Sequence, residues 1–463
     1  MLKPVSGAFE LPNIRRFIAF RIFFNSRFYY PVFTVLFLDF GLSLEQFAVL
    51  NAVWAATIVL FEVPSGALAD VIGRKNLLVT SATLMVIEIG VLCIVPRGKG
   101  VLLFIAFLVN RILSGMAEAF ASGADEALAY DTLKVKADPA DWGHVLERQM
   151  RYRSIGFIAA SIVGAALYDP HMVESALKLA GIHSRITQDH TLRLPLYLTF
   201  VMALGAWFAT FGMTEPVTKE EQNASRKPAS RLRAIEALTV TVRAGIFIFR
   251  NPLALAIILS GMMIDHVARM IITLASQYYR SIAIPEAAFG WIGAALAVSG
   301  IFVPRIALKM SQTFSKSVNL WLVSAGTLLG IWGMTRFWPV WGLIPALLLF
   351  STMMMSGFFC SRYLNDITSS TERATVLSFK GMLFNLAYGL IGIAYAVLIA
   401  RLRESPAIAA PGLSGPGLED AVFKGALRFF PAYFLLIFVL LMVFLIIYFR
   451  LISGDKTGKY GSS

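Results

Sequence analysis

Gly66-Ala67-Leu68-Ala69-Asp70-Val71-Ile72-Gly73-Arg74-Lys75 stands between two long apolar runs, approximately 46–67 and 75–95. Each run is long enough to cross a bilayer as a helix. The stretch joining them holds an acid, glycines and adjacent cations. Hydrocarbon excludes such groups unless protein or the membrane surface receives them. The stretch therefore reads as a tight connection at a membrane face.

Outward from it the same pattern repeats. About twelve segments can span a bilayer, at 15–39, 46–67, 75–95, 101–127, 151–168, 194–213, 252–280, 287–309, 318–336, 339–361, 376–400 and 427–450. The chain has 463 residues, 57% hydrophobic and 15% charged, with mean hydropathy +0.70. An ordinary soluble domain carries about 25% charged residues. The fold class expected is an all-α polytopic membrane protein. The net charge of +13 does not mark a nucleic-acid binder, because the cations are scattered over many short loops. They follow the orientation rule instead. With the N-terminus inside, roughly 26 Lys and Arg fall in inside loops and tails and roughly 11 outside. Both termini are thus expected in the cytoplasm. The outside cations Arg97, Lys99, Arg401 and Arg403 run against the trend. Residues 1–17 show no short apolar core with a small-residue cleavage site, so no removable signal peptide is expected.

The connection at 215–251 divides the segments into two equal sets. It begins polar, then places Leu232, Ile235, Leu238, Val242 and Ile246 on one helical face, as an amphipathic helix at the membrane surface would. The expected organisation is an N-terminal bundle over 1–214, a cytoplasmic linker over 215–251 and a C-terminal bundle with its tail over 252–463. Val63-Pro64 recurs as Val303-Pro304, Ser122-Gly123 as Ser356-Gly357, and Tyr130-Asp131 loosely as Asn365-Asp366, at offsets of 240, 234 and 235 residues. A near-constant offset suits two related halves.

The 66–75 stretch closely resembles the loop between helices 2 and 3 of the major facilitator superfamily, G-x-L-A-D-R/K-x-G-R-R/K, with Val71 departing from it. Glu62-Val63-Pro64-Ser65-Gly66, Ser122-Gly123-Ala124-Asp125-Glu126-Ala127-Leu128-Ala129-Tyr130-Asp131 and Arg373-Ala374-Thr375-Val376-Leu377-Ser378 resemble elements of a bacterial branch of that superfamily. The resemblance implies two pseudo-symmetric bundles of about six helices each, related by an internal repeat. It also implies residence in the bacterial cytoplasmic membrane and a gating role for Gly66, Asp70, Gly73, Arg74 and Lys75. It leaves antibiotic, metabolite and siderophore traffic all open.

Charged and polar side chains inside spans are the candidates for coupling or substrate binding. On the first segment these are Asn25 and Arg27, with Arg21 free to snorkel to the surface. On the fourth, Arg111, Ser114, Gly115, Glu118 and Ser122 recur at helical spacing and line one stripe. Arg111 must be partnered or wet, and a buried Glu118 could exchange protons. The R-x-x-x-G pattern there resembles a family motif associated with proton transfer. On the seventh, Asp265 and Arg269 can pair at i,i+4 beside His266. A self-neutralising pair with a capped imidazole is the structural alternative. Asn385 and Tyr388 on the eleventh offer hydrogen bonds. A positively lined cavity suits an anionic or carboxylate-bearing solute.

No phosphate-loop motif is present, which leaves ATP-driven transport by this chain unsupported. His144, His171, His183, His190 and His266 lack metal-ligand spacing, and Cys93 and Cys360 sit far apart in apolar segments; no cofactor or metal is expected. The expected partners are a small-molecule substrate, protons and membrane lipids, with no nucleic acid. The function expected is a secondary active transporter working by alternating access, not an enzyme. Its rivals are a membrane-embedded enzyme on lipid-linked substrates, which needs a convergent catalytic cluster, and a transporter-like sensor that binds solute without moving it.

Overall fold

In a computed structural model the described residues are 6–98, 100–216, 248–249, 251–368, 373–409 and 412–458. They fold into helices with no strand among them. In chain order these are α1 (Ser6–Glu10), α2 (Pro12–Asn25), α3 (Phe33–Phe40), α4 (Leu44–Ile72), α5 (Arg74–Ile94), α6 (Val101–Ala121), α7 (Ala124–Lys136), α8 (Trp142–Tyr168), α9 (Pro170–Leu179), α10 (Gln188–Thr191) and α11 (Leu194–Phe211). They continue as α12 (Pro252–Thr273), α13 (Ala275–Ser281), α14 (Glu286–Thr313), α15 (Lys316–Met334), α16 (Leu343–Ile367), α17 (Arg373–Arg403), α18 (Pro406–Ala409), α19 (Gly415–Leu427) and α20 (Phe430–Gly458). Among the described residues ten helical stretches are long and apolar enough to cross a membrane, and an eleventh candidate is the pair ending in α8 and α9, bent by 86°.

The span expected at 15–39 is not one helix. It is α2 and α3, separated by Ser26–Tyr29 and a 3-10 turn at Tyr30–Val32. Local chemistry explains the break. Ser26 turns its hydroxyl onto the Ile22 carbonyl at 2.7 Å, which competes with helix continuation. Pro31 follows, and a proline cannot donate to a preceding turn. The freed donors are received elsewhere: Phe28 N–H by Thr199 Oγ1 at 3.0 Å, and Thr34 and Val35 N–H by Ser276 Oγ at 2.9 and 3.2 Å. Backbone groups left bare at this depth would cost several kcal/mol each, of order 2–7 by transfer. Gly164 on α8 lets the broken segment lie close, because a Cβ there would come within 1.8 Å of the Phe28 carbonyl oxygen.

The chain divides into two compact units. The first comprises residues 1–238, 276–280 and 284–297, the second 239–275, 281–283 and 298–463. In the first, α5 packs against α6 and α11, and α2 against α8 and α11. Phe20, Leu77, Leu78, Met85, Ala117, Phe120, Ala203 and Met213 meet in its core. A second aromatic cluster, Phe33, Phe37, Phe40, Phe47 and Phe107, closes the far end of α3 with centroids 4.5–5.4 Å apart. Edge-to-face pairs of this kind add about 0.5–1.5 kcal/mol each beyond burial. In the second unit, α12 packs on α16, α17 and α20, and α15 on α16. Gly326 and Gly330 on α15 seat against Thr352 and Leu349, the small-residue contact through which membrane helices pack in the absence of a hydrophobic driving force. Cys360 is buried and Cys93 half-buried, and both thiols are free. The amphipathic face expected at 232–246 lies outside the described residues.

Gly164→Ala is expected to lower the unfolding temperature of the solubilised protein, by the equivalent of at least about 1–3 kcal/mol. Gly143→Ala on the same helix, where an added Cβ meets nothing within 4 Å, should change it little. Equal behaviour of the two variants in thermal unfolding would refute the close approach at Phe28.

Candidate functional site

The break between α2 and α3 brings Arg27 into the interior of the first unit, where it is 2% exposed. Its Nη1 pairs with Glu88 Oε1 on α5 at 2.7 Å and donates to Tyr29 Oη at 3.2 Å. Asn110 on α6 donates to the Glu88 carbonyl and to Oε2, at 3.0 and 3.1 Å. The guanidinium also lies 5.5 Å from the Phe24 ring and 5.7 Å from Tyr30. Its Nη2 has no hydrogen-bond partner among the described residues. Arg111, one residue past Asn110, is likewise buried. Its Nη2 donates to Asn51 Oδ1 at 3.1 Å, and the group sits between Phe33 and Trp54, 5.3 Å from each ring. Among the described residues, two buried cations thus share this region with one buried acid, Glu88.

Asn25, the last residue of α2, is spent locally and donates to the Arg21 carbonyl at 2.7 Å. Arg21 does not reach out alone; it pairs with Asp125 at 2.5 Å and Glu126 at 2.7 Å on α7. Glu118 differs from its expectation of burial. It lies on the same stripe of α6 as Arg111, yet it is exposed, because the stripe drifts only about 20° over seven residues while the covering aromatic rings sit at the Arg111 level.

In the second unit Asp265 and Arg269 pair at 2.6 Å along α12. Arg269 Nη1 donates to Asn385 Oδ1 at 2.8 Å, and its guanidinium lies 5.5 Å from the Tyr388 ring. Thr273 and Tyr388 hydroxyls meet at 3.0 Å. Lys380 on α17 lies 5.6 Å from the Phe384 ring. His266 is not part of this group. It faces away, with Nδ1 against the Met262 carbonyl at 2.7 Å and Nε2 against the Tyr433 hydroxyl at 3.0 Å. One residue along a helix turns the side chain by about 100°, so a neighbour in sequence need not be a neighbour in the site.

The 66–75 stretch is mostly helix: Gly66–Ile72 end α4, and Gly73 alone makes the turn. Gly73 needs its hydrogen side chain, at φ +87° and with Glu215 3.3 Å from where a Cβ would stand. Gly66 does not, since nothing lies within 4 Å of an added Cβ. Glu215 accepts from Arg74 and Lys75 N–H at 3.2 and 2.8 Å, satisfying the first donors of α5 and the positive end of its dipole. Arg74 pairs with Asp131 on α7. Nearby, Asn13 joins Thr132 and Thr214, at 2.9 and 2.7 Å. The side chains of Asp70 and of residues 372–375, 377 and 378 lie outside the described residues.

A third cluster has no counterpart among the sequence candidates. Asp39, at the end of α3, accepts both Nη groups of Arg280 at 3.0 and 2.7 Å and the Tyr168 hydroxyl at 2.6 Å. Arg280 also pairs with Glu286 at 2.9 Å. All four residues belong to the first unit. Glu88 and Asn51 escape the sequence reading too, although each is a lone polar residue in an apolar run, the same signal that singles out Arg111.

Residues 17–392 match the family model described as Major Facilitator Superfamily. Among solved structures, a bacterial homolog of the human lysosomal transporter Spinster, inward-facing and unoccupied, is similar with TM-score 0.69 at 15% identity, over 97% of this chain and 98% of that one. The nucleoside transporter NupG gives 0.64 at 13%, over 93% and 98%. A D-xylose-proton symporter gives 0.57 at 13%, over 92% and 97%. These likenesses show a shared fold. No curated protein sequence matches the chain.

Removing one member of the Arg27–Glu88 pair strands the other charge in the interior. Glu88→Ala should therefore cost about 3–5 kcal/mol of stability, and replacing both by apolar residues, Arg27→Met with Glu88→Leu, should recover most of it. Thermal unfolding of the single and double variants checks this; additive losses would mean the two groups do not depend on each other.

Proposed function

We propose, from the premise that this chain belongs to the major facilitator superfamily, that it is a secondary active transporter of a small organic anion, driven by protons and working by alternating access. The observation that carries the reading is the set of arginines held among the apolar helices of both units. Arg27 and Arg111 stand with Glu88 in the first, and Arg269 pairs with Asp265 and donates to Asn385 in the second. Guanidinium groups so placed match an incoming carboxylate or phosphate. The residues of these two clusters form no catalytic constellation, and the reading is of a carrier and not an enzyme.

Asp265 supplies the coupling step. Charged, it holds Arg269; protonated, it releases the guanidinium to the anion. Proton and anion then load together, and the positive charge of Arg269 is compensated at every stage. Glu118 places a second, exposed carboxylate on the stripe of Arg111. Arg74–Asp131 with the Glu215 cap, and Asp39–Arg280–Glu286, are the ties whose making and breaking bias the conformational equilibrium. The organisation proposed is 1–214 and 252–463 as the two bundles joined by 215–251, in a bacterial cytoplasmic membrane with both termini inside, as the cation distribution supports.

The test is a ligand-induced thermal shift on purified protein, with matched carboxylates, phosphates and neutral analogues, at acidic and alkaline pH. Anions should stabilise the parent protein more strongly as pH falls. Asp265→Asn should bind at all pH values alike. Stabilisation by neutral analogues alone, or an unaltered pH dependence in Asp265→Asn, would remove this coupling scheme.

A further inference from the structure

Two of the cations that run against the orientation rule are accounted for by partners: Arg97 pairs with Asp189, and Arg403 with Glu419 at 2.8 Å. Arg401 is not. It is exposed and makes no ion pair among the described residues, and the same holds for Arg428. In the second unit a groove of about 340 Å³ lies between α17 and the start of α20, and Arg401 follows its lining residue Leu398 by three positions. Ile391 and Leu398 form one wall, Phe430 and Tyr433 the other. Ala394 also lines it, and Arg401 stands seven residues further on the same side of α17, within about 20°. Arg428 directly precedes the lining residue Phe429.

The groove's surroundings identify the medium it opens to. Leu390 and Val397 on α17 and Leu435 and Val439 on α20 are each about half exposed, at 59, 51, 49 and 49%. Aliphatic side chains exposed along both helices of a membrane protein face hydrocarbon. An apolar trough with an exposed arginine within one turn of its lining on each helix is complementary to a molecule with an apolar chain and an anionic head. Guanidinium forks match phosphate oxygens.

We propose that this groove is a seat for an anionic glycerophospholipid, with its phosphate between Arg401 and Arg428 and one acyl chain along Ile391, Leu398, Phe430 and Tyr433. The seat touches the transport machinery at one point. Tyr433 carries the hydroxyl that meets His266 Nε2, and His266 is the residue next to Asp265 on α12. The Tyr433–His266 hydrogen bond is thus the contact through which the seat meets α12.

The experiment uses the full chain, purified and exposed in detergent to either dioleoyl-phosphatidylglycerol or dioleoyl-phosphatidylcholine, with retained lipid counted by native mass spectrometry. The parent should retain the anionic lipid in preference. Arg401→Gln and Arg428→Gln should each lower its retention, by about fivefold per cation lost near a membrane surface. Ala394→Trp, at an exposed position inside the groove, should abolish retention of both lipids. Equal retention of the two lipids by the parent, or unchanged retention in the arginine variants and in Ala394→Trp, overturns the proposal. If a variant fails to fold, competition on the parent protein by short-chain dioctanoyl-phosphatidylglycerol decides instead. Displacement of the bound lipid supports the seat, and no displacement contradicts it. None of these readouts depends on transport.

Discussion

A guanidinium withdrawn from water into a membrane-spanning bundle has to be received where it stands. It needs an acid, a hydrogen-bond acceptor or an aromatic face, and lipid supplies none of these. Arg27 has Glu88, Tyr29 and two rings; Arg111 has Asn51 and two rings; Arg269 has Asp265, Asn385 and the Tyr388 ring. Each of these arginines brings at least two helices together, because no single helix carries all its partners. The charged groups therefore tie helices to one another within each unit, and they are the polar groups of the candidate site.

The broken first span follows from the same constraint. A continuous helix over 15–39 would satisfy its own backbone and leave Arg27 wherever the helical period put it. Breaking at Ser26 frees several N–H groups, and those are met by Thr199 and Ser276. It also opens room for Arg27 to turn toward Glu88. The cost of the break is offset only where neighbouring helices supply acceptors, so the break, the Gly164 approach and the ion pair are one interdependent arrangement. Discontinuous helices at membrane depth are tolerated for this reason, when they are buried in protein or line a polar space.

Much of this was legible in the sequence, since apolar length and cation placement are bulk physical properties that survive without coordinates. The membrane-spanning character came from such signals, while the family came from the resemblance carried by 66–75 and the neighbouring motifs. What the sequence hid depends on direction. Asp265, His266 and Arg269 lie within little more than one turn of helix, but the period turns His266 by roughly 100° from Asp265 and roughly 60° from Arg269. Gly66 and Gly73 look alike in the motif, while only Gly73 occupies a positive φ. Arg280 and Asp39 are joined over 241 residues of chain, and nothing in either local sequence announces the other. Ser26 and Pro31 carry the break locally, but Thr199, which receives the Phe28 N–H that the break frees, lies 171 residues away.

Charge held inside a membrane at such cost is a poor way to secure stability, because apolar replacements of buried pairs are often as stable or more so. Its presence in both units is accounted for if these arginines meet an anion that the protein carries across. The most direct measurement is solute accumulation in proteoliposomes under an imposed pH gradient, comparing a panel of organic anions with neutral analogues. The account predicts that at least one anion accumulates above protein-free liposomes, and that collapse of the gradient releases it. Folded, reconstituted protein that moves neutral solutes but no anion, or that moves anions equally with and without the gradient, would contradict it.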